Sequence, residues 1–115
     1  MSASPIVDLP KSYEDARGVI MNLFTDGMQS GAFIMSKKGT RRADHYHKRG
    51  NHLCVLLYGK LVYKWRPVGS KEEPDSVTIL PDMAFFSPPM VEHSMHFLED
   101  SGFLAFDSKV ARDHE

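Results

Sequence analysis

Cysteine is almost missing from this chain: Cys54 is the single one in 115 residues. That excludes an internal disulfide framework. Cys54 lies in the apolar run LCVLLYG, where it reads as a small core residue. Long hydrophobic runs are also missing, and no window approaches the ~20 apolar residues of a membrane span. The first ten residues, MSASPIVDLP, hold neither a basic segment nor a long apolar stretch, so no signal peptide is expected. A cytoplasmic protein with no membrane partner is the expectation. Charge of one sign is absent too, with 14 Lys and Arg against 15 Asp and Glu. That balance argues against a nucleic-acid partner, although Lys37, Lys38, Arg41, Arg42, Lys48 and Arg49 crowd one stretch. Such a cluster reads as a solvated loop or as a basic rim for an anionic ligand. No stretch keeps a helical period, and repeats and low-complexity tracts are lacking.

What the chain does have is strand pattern. Residues 18–24, GVIMNLF, are apolar and rich in strand formers, and Asp26-Gly27 supplies a turn. Strands are predicted at 31–35, through the histidines, and at 52–58, before a tight turn at Gly59-Lys60. Residues 61–66 alternate: Leu61, Tyr63 and Trp65 take one face, Val62, Lys64 and Arg66 the other. Residues 77–80, 84–86, 91–98 and 103–107 complete the set, with a short strand at 6–9 ahead of Pro10. Residues 13–18, YEDARG, read as a polar turn. About ten short strands with turn residues between them make an all-β barrel or sandwich. At this length one domain is expected over 1–115, with its core over about 18–107. A dimer interface would help so small a fold, and the exposed sheet edges, residues 5–9 above all, invite a homodimer.

Residues 39–59, GTRRADHYHKRGNHLCVLLYG, hold three of the six histidines. His45 and His47 are two apart, so on a strand they share a face. His52 opens the next strand, and an antiparallel neighbour lies roughly 5 Å away. Three imidazoles can therefore converge on one ion. His93 and His96 are the remaining candidates for a fourth ligand, and strand alternation sets them on opposite faces.

The spacing resembles the cupins, small jelly-roll barrels of the double-stranded β-helix type that hold a metal. Their first motif is G-x5-HxH-x3/4-E-x6-G. Gly39, His45, His47, His52 and Gly59 fit every spacing, with His52 in place of the glutamate. Their second motif is G-x5-PxG-x2-H-x3-N. Anchored on His93 it finds its proline at Pro88, but Asp82 and Met90 stand for the two glycines and Phe97 for the asparagine. The resemblance implies a metal site on His45, His47, His52 and His93. Four neutral ligands would leave a divalent ion its full charge. Imidazole suits Zn, Fe, Ni or Cu, and Mn less. Such a metal should be lost as pH falls below the histidine range.

A narrower resemblance overlaps the first. Asp15-Ala16-Arg17-Gly18, Ser36-Lys37-Lys38-Gly39 and Arg42-Ala43-Asp44-His45-Tyr46-His47-Lys48 are similar to the D-x-RG, S-x-KG and RGxHxHK segments of nucleotide-sugar epimerase and ketoisomerase cupins. Ala43 replaces a glycine there. In those relatives the histidine matching His45 works near a keto-sugar without metal, and in the ketoisomerases the pair matching His45 and His47 shuttles protons.

Together these readings imply a cupin enzyme with a small-molecule substrate. A four-histidine metal site would serve isomerase, epimerase or cyclase chemistry on a small carbonyl or sugar-like compound. The alternatives are an iron or nickel dioxygenase, a metal-free keto-sugar nucleotide isomerase, and a non-catalytic ligand-binding barrel. Arg42 is the candidate for holding an anionic group. Tyr58, Glu92 and Asp44 are the candidates for acid–base work.

Overall fold

The computed structural model describes residues 8–26, 29–46 and 51–107. It contains ten strands, β1 (Tyr13–Asp15), β2 (Gly18–Asp26), β3 (Gln29–Ser36), β4 (Arg41–His45), β5 (His52–Tyr58), β6 (Leu61–Pro67), β7 (Asp75–Ile79), β8 (Ala84–Ser87), β9 (Val91–Phe97) and β10 (Ser101–Asp107). They form two antiparallel sheets, β1-β2-β3-β10-β5-β8 and β4-β9-β6-β7. Among the described residues no helix is long and apolar enough to cross a membrane.

Alternation decides what lies between the sheets. Leu61 and Tyr63 are buried at 0% and 4% exposure, while Lys64 between Tyr63 and Trp65 is exposed. From β5 and β10 come Cys54, Leu56 and Phe103; from β7 and β9 come Ile79, Met95 and Phe97. Phe97 and Phe103 stack at 5.9 Å between ring centroids and bridge the layers. Each such fully buried large side chain contributes about 1.5–3 kcal/mol through removal from water. These contacts fix the middle of the molecule and leave the strand ends near His52 and His93 for other work.

The expected strand at 52–58 keeps those bounds, and most of the others lengthen by a residue or two. One expectation is corrected: Tyr13–Asp15 is a strand, not part of a turn, and the turn is confined to Ala16 and Arg17. Its polarity is that of a short edge strand, where exposed side chains are tolerated. The strand expected at 6–9 falls partly outside the described residues, and Asp8 and Leu9 are not in a strand. Of the turn expected at 25–27, Thr25 and Asp26 are in β2 instead, and Gly27 lies outside the described residues.

Backbone geometry carries a further signal. Among the described residues three non-glycines have a positive φ: Ala43 at 74°, Asp82 at 74° and Met90 at 61°. These are the three positions where a glycine of the motifs is replaced. The left-handed conformation costs a side-chain-bearing residue roughly 1–2 kcal/mol. The turns that the glycines would serve are therefore present without them. Gly59, the last glycine of the first motif, keeps φ at 97°, and a Cβ there would strike Ser101 Oγ and the Asp100 carbonyl.

Candidate metal centre

Two of the four histidines come together from opposite sheets. His52 starts β5 in the six-stranded sheet, and His93 sits on β9 in the four-stranded one. Their ring centroids are 6.3 Å apart. An imidazole nitrogen binds a zinc-like ion at about 2 Å, so two rings on one ion stand with centroids up to roughly 6.5 Å apart. That limit needs a nearly linear arrangement; a tetrahedral ion would draw the rings to roughly 5 Å, closer than they stand here.

The third histidine is placed by register. His45 ends β4 directly opposite His93, and the ladder slips between Ala43 and His45. This bulge, made with the left-handed Ala43, changes the alternation. Positions 42 and 45 then lie opposite Met95 and His93. His47 lies outside the described residues. Among the described residues no group of three His, Cys, Asp or Glu gathers around one point.

Hydrogen bonding sets the donor nitrogens. Asp107, last residue of β10, pairs with His52 across the sheet, and its Oδ1 lies against His52 Nδ1. That oxygen is buried and, although it lies close to His52 Nδ1, accepts no aligned hydrogen bond from the described residues. Asp107 Oδ2 accepts from Ser30 Oγ at 3.2 Å. A carboxylate beside Nδ1 favours a proton on that nitrogen, which would leave the lone pair on Nε2. His93 Nδ1 lies 3.4 Å from the Val91 carbonyl, which favours the same tautomer. Two imidazoles facing each other across the sheets are a donor type that suits a transition metal.

The wall around the pair is aromatic and hydroxylic. Tyr63 stacks on His93 at 6.0 Å and on Trp65 at 5.6 Å. Its hydroxyl is 2.6 Å from Ser87 Oγ, and Ser87 pairs with His52 across the sheet. Burial pushes the Tyr63 phenol above its ordinary pKa, against a smaller opposing effect of the Ser87 hydrogen bond. A cavity of about 170 Å³ lies mainly against the other face of β6 and β9, at Lys64, Arg66, Glu92 and Ser94, and also touches Trp65 and His93.

Arg42 also points between the sheets and is 6% exposed. Its Nε donates to Ser36 Oγ and its Nη2 to the Met35 carbonyl at 3.3 Å. Both partners are neutral. Desolvation is the main cause that lowers its pKa from the ordinary arginine value, with the nearby Arg17 charge adding to it. Arg17 itself is held by Asp15 at 2.5 Å, and its backbone carbonyl accepts from the Lys37 N–H at 2.8 Å. The segments of the narrower resemblance thus share one corner of the barrel.

The other expected residues stand apart. Tyr58 is at the far end of β5, six residues or about 20 Å along the strand from His52. It is 45% exposed, and its ring covers Gly102 on the outer face. Glu92 neighbours His93 but takes the opposite face, where its carboxylate accepts from Arg66 Nε at 3.0 Å. His96 lies on the side of Ser94, its Nε2 3.0 Å from Ser94 Oγ. The side chain of Asp44 lies outside the described atoms. Sequence reasoning overlooked Asp107, Ser87 and Tyr63 as parts of the site. Asp107 had a signal: it continues the inward alternation of Phe103 and Ala105, an acid on the core face of an apolar strand.

At the sequence level no family model and no curated protein matches the chain. Solved structures do match. The capsular polysaccharide assembling protein CapF from Staphylococcus aureus superposes with a TM-score of 0.84 at 18% identity, over 96% of this chain and 32% of that one. KdgF from Halomonas sp. gives 0.74 at 17% identity, over 93% of this chain and 92% of that one. An oxalate decarboxylase from Lactobacillus farciminis, in a formate complex, gives 0.73 at 14%, over 91% and 32%. These are cupin jelly rolls, as the two antiparallel sheets here are. The chain has the cupin fold. The chain spans about a third of the length of CapF and nearly the whole of KdgF.

Proposed function

We propose that this cupin is a metal-dependent enzyme that moves protons on a small carbonyl-bearing or sugar-like substrate, as isomerases, epimerases and cyclases do. The observation that carries this reading is the meeting of His52 and His93 from opposite sheets, with Asp107 behind His52. His45, His47, His52 and His93 would hold a divalent Zn, Fe, Ni or Cu ion. When bound, such an ion supplies positive charge to polarise a substrate oxygen.

The remaining work falls to the protein. Arg42, buried with neutral partners, supplies a cation for a carboxylate or phosphate of the substrate. Tyr63 stays protonated and, with Ser87, can orient a substrate hydroxyl beside His93. Trp65 and Phe85 pack on Tyr63 and keep water from that wall. The name of CapF as a capsular polysaccharide assembling protein supports a sugar-like substrate.

Elemental analysis tests the reading. Untagged protein should carry about one equivalent of metal, and His52→Ala and His93→Ala should each lose most of it. Incubation of the loaded enzyme with keto-sugars in deuterated water should label the carbon next to the carbonyl. Oxygen uptake without labelling would instead identify a dioxygenase. A parent that takes up no metal on reloading defeats the proposal. That result would favour the metal-free keto-sugar nucleotide isomerase, which draws support from the corner holding Asp15, Arg17, Ser36 and Arg42.

A further inference from the structure

The outer face of the four-stranded sheet carries polar side chains in register. Alternation turns His93 and Met95 of β9 inward, where both are buried, and sets Glu92 and Ser94 on the other face beside Lys64 and Arg66 of β6. Lys64 pairs with Ser94, and Arg66 pairs with Glu92. Partners across an antiparallel pair stand about 5 Å apart, and residues two along a strand about 7 Å apart. Four polar side chains thus rise from the corners of a small rectangle. The cavity of about 170 Å³ lies over it, with Pro74 as one wall. Sites for drug-sized molecules measure ~300–1,000 Å³, so this one has room for a small ion or for one end of a longer molecule.

The surroundings of the cavity are tied in place. The Val68 N–H donates to the Met90 carbonyl and the Ser70 N–H to the Pro67 carbonyl, each at 3.1 Å. The Glu72 N–H donates to Ser70 Oγ at 3.2 Å, and the Glu72 carbonyl accepts from Arg66 Nη1 at 3.1 Å. Arg66 Nε donates to Glu92 at 3.0 Å. Two of the three guanidinium nitrogens are therefore engaged, and Nη2 has no hydrogen bond among the described residues. Lys64 is exposed and forms no ion pair among the described residues. Ser94 is only 9% exposed, and its Oγ lies 3.0 Å from His96 Nε2. When His96 donates there, the serine hydroxyl has its own proton to give. With His93 neutral, the lining holds two cations, Lys64 and Arg66, against one anion, Glu92.

We propose that this cavity binds a small oxyanion, a carboxylate or a phosphate, through Lys64 Nζ, Arg66 Nη2 and Ser94 Oγ. Lys64 brings a charge that no carboxylate of the described residues neutralises. Arg66, oriented by Glu92 and by the Glu72 carbonyl, brings a donor whose direction is already set. Ser94 adds a neutral donor from the floor. Bonds of the first two kinds are charge-assisted and about twice as strong as neutral ones. The site is separate from the histidine centre, because Glu92 and Ser94 flank His93 on the opposite face of β9.

Amide NMR shifts of the full chain, titrated at constant ionic strength with inorganic phosphate and separately with acetate, test the proposal. At least one probe should move the amides of residues 64–66 and 92–94 in a saturable way. Saturation by phosphate alone assigns the site to phosphate groups, and saturation by acetate assigns it to carboxylates. Lys64→Gln, at an exposed position, should weaken the binding about 10-fold or more. Lys11→Gln, at an exposed lysine outside the cavity, should leave it unchanged. Saturation by neither probe overturns the proposal. So does binding that a folded Lys64→Gln protein retains in full, which puts the anion elsewhere, or that Lys11→Gln weakens equally, which makes it a general charge effect.

Discussion

Single residues carry most of the chemistry here, and Asp107 is the one whose role is most exposed to test. It touches no substrate in this account and acts by holding His52 in one tautomer. Asp107→Asn keeps the shape and removes the charge. The loss of such a partner costs about 10–100-fold in metal affinity. Competitive titration with a chelating indicator should read that loss, with the thermal unfolding of the metal-free protein little changed. Cys54 is a second case. Burial, with the nearby Asp107 charge adding to it, pushes its thiol up to about 12. Below the ordinary thiol range both folded and unfolded states hold the proton, so the group favours neither. As pH rises from about 9 toward 12 the unfolded thiol ionises first, and stability falls. At pH 8 native Cys54 should resist iodoacetamide and react only after unfolding, as mass spectrometry would record.

At the scale of elements, the turns say most about what was legible in the sequence. The first motif was readable because Gly39 and Gly59 kept their identity at positions of positive φ. The second was faint because Asp82 and Met90 had replaced glycine, yet the chain still turns there in the left-handed region. Met90 is 48% exposed and loses little packing if shortened. Met90→Gly should therefore leave stability unchanged or raise it by up to ~1 kcal/mol, the strain relieved exceeding the extra chain entropy. Urea unfolding would measure it, and a loss above that size would mean the turn is not left-handed. Strand alternation was equally legible in β6 and in the opposition of His93 and His96. The bulge in β4 was not, since a slip in register leaves no mark on composition. Nor was β1 legible, because an edge strand of three residues needs no apolar pattern. Asp107 was hidden for another reason: its partner His52 is 55 residues away, and only the pairing of β5 with β10 unites them.

At the scale of the whole molecule, one layer of side chains between the sheets does two jobs. Its middle, around Leu56, Leu61, Phe97 and Phe103, is dry and holds the layers together. Its end gathers His52, His93, Tyr63, Ser87 and Asp107, polar groups that are costly to bury unless partnered or put to use. The cupin fold alone does not choose among chemistries. The central claim is that these histidines hold one metal ion. A crystal structure of the metal-loaded protein, with anomalous data at the absorption edge of the ion, tests it most directly. The account predicts one strong peak between His52 and His93, within bonding distance of both Nε2 atoms, with His45 and His47 completing the set. A peak elsewhere, or none in protein soaked with divalent ions, would contradict it.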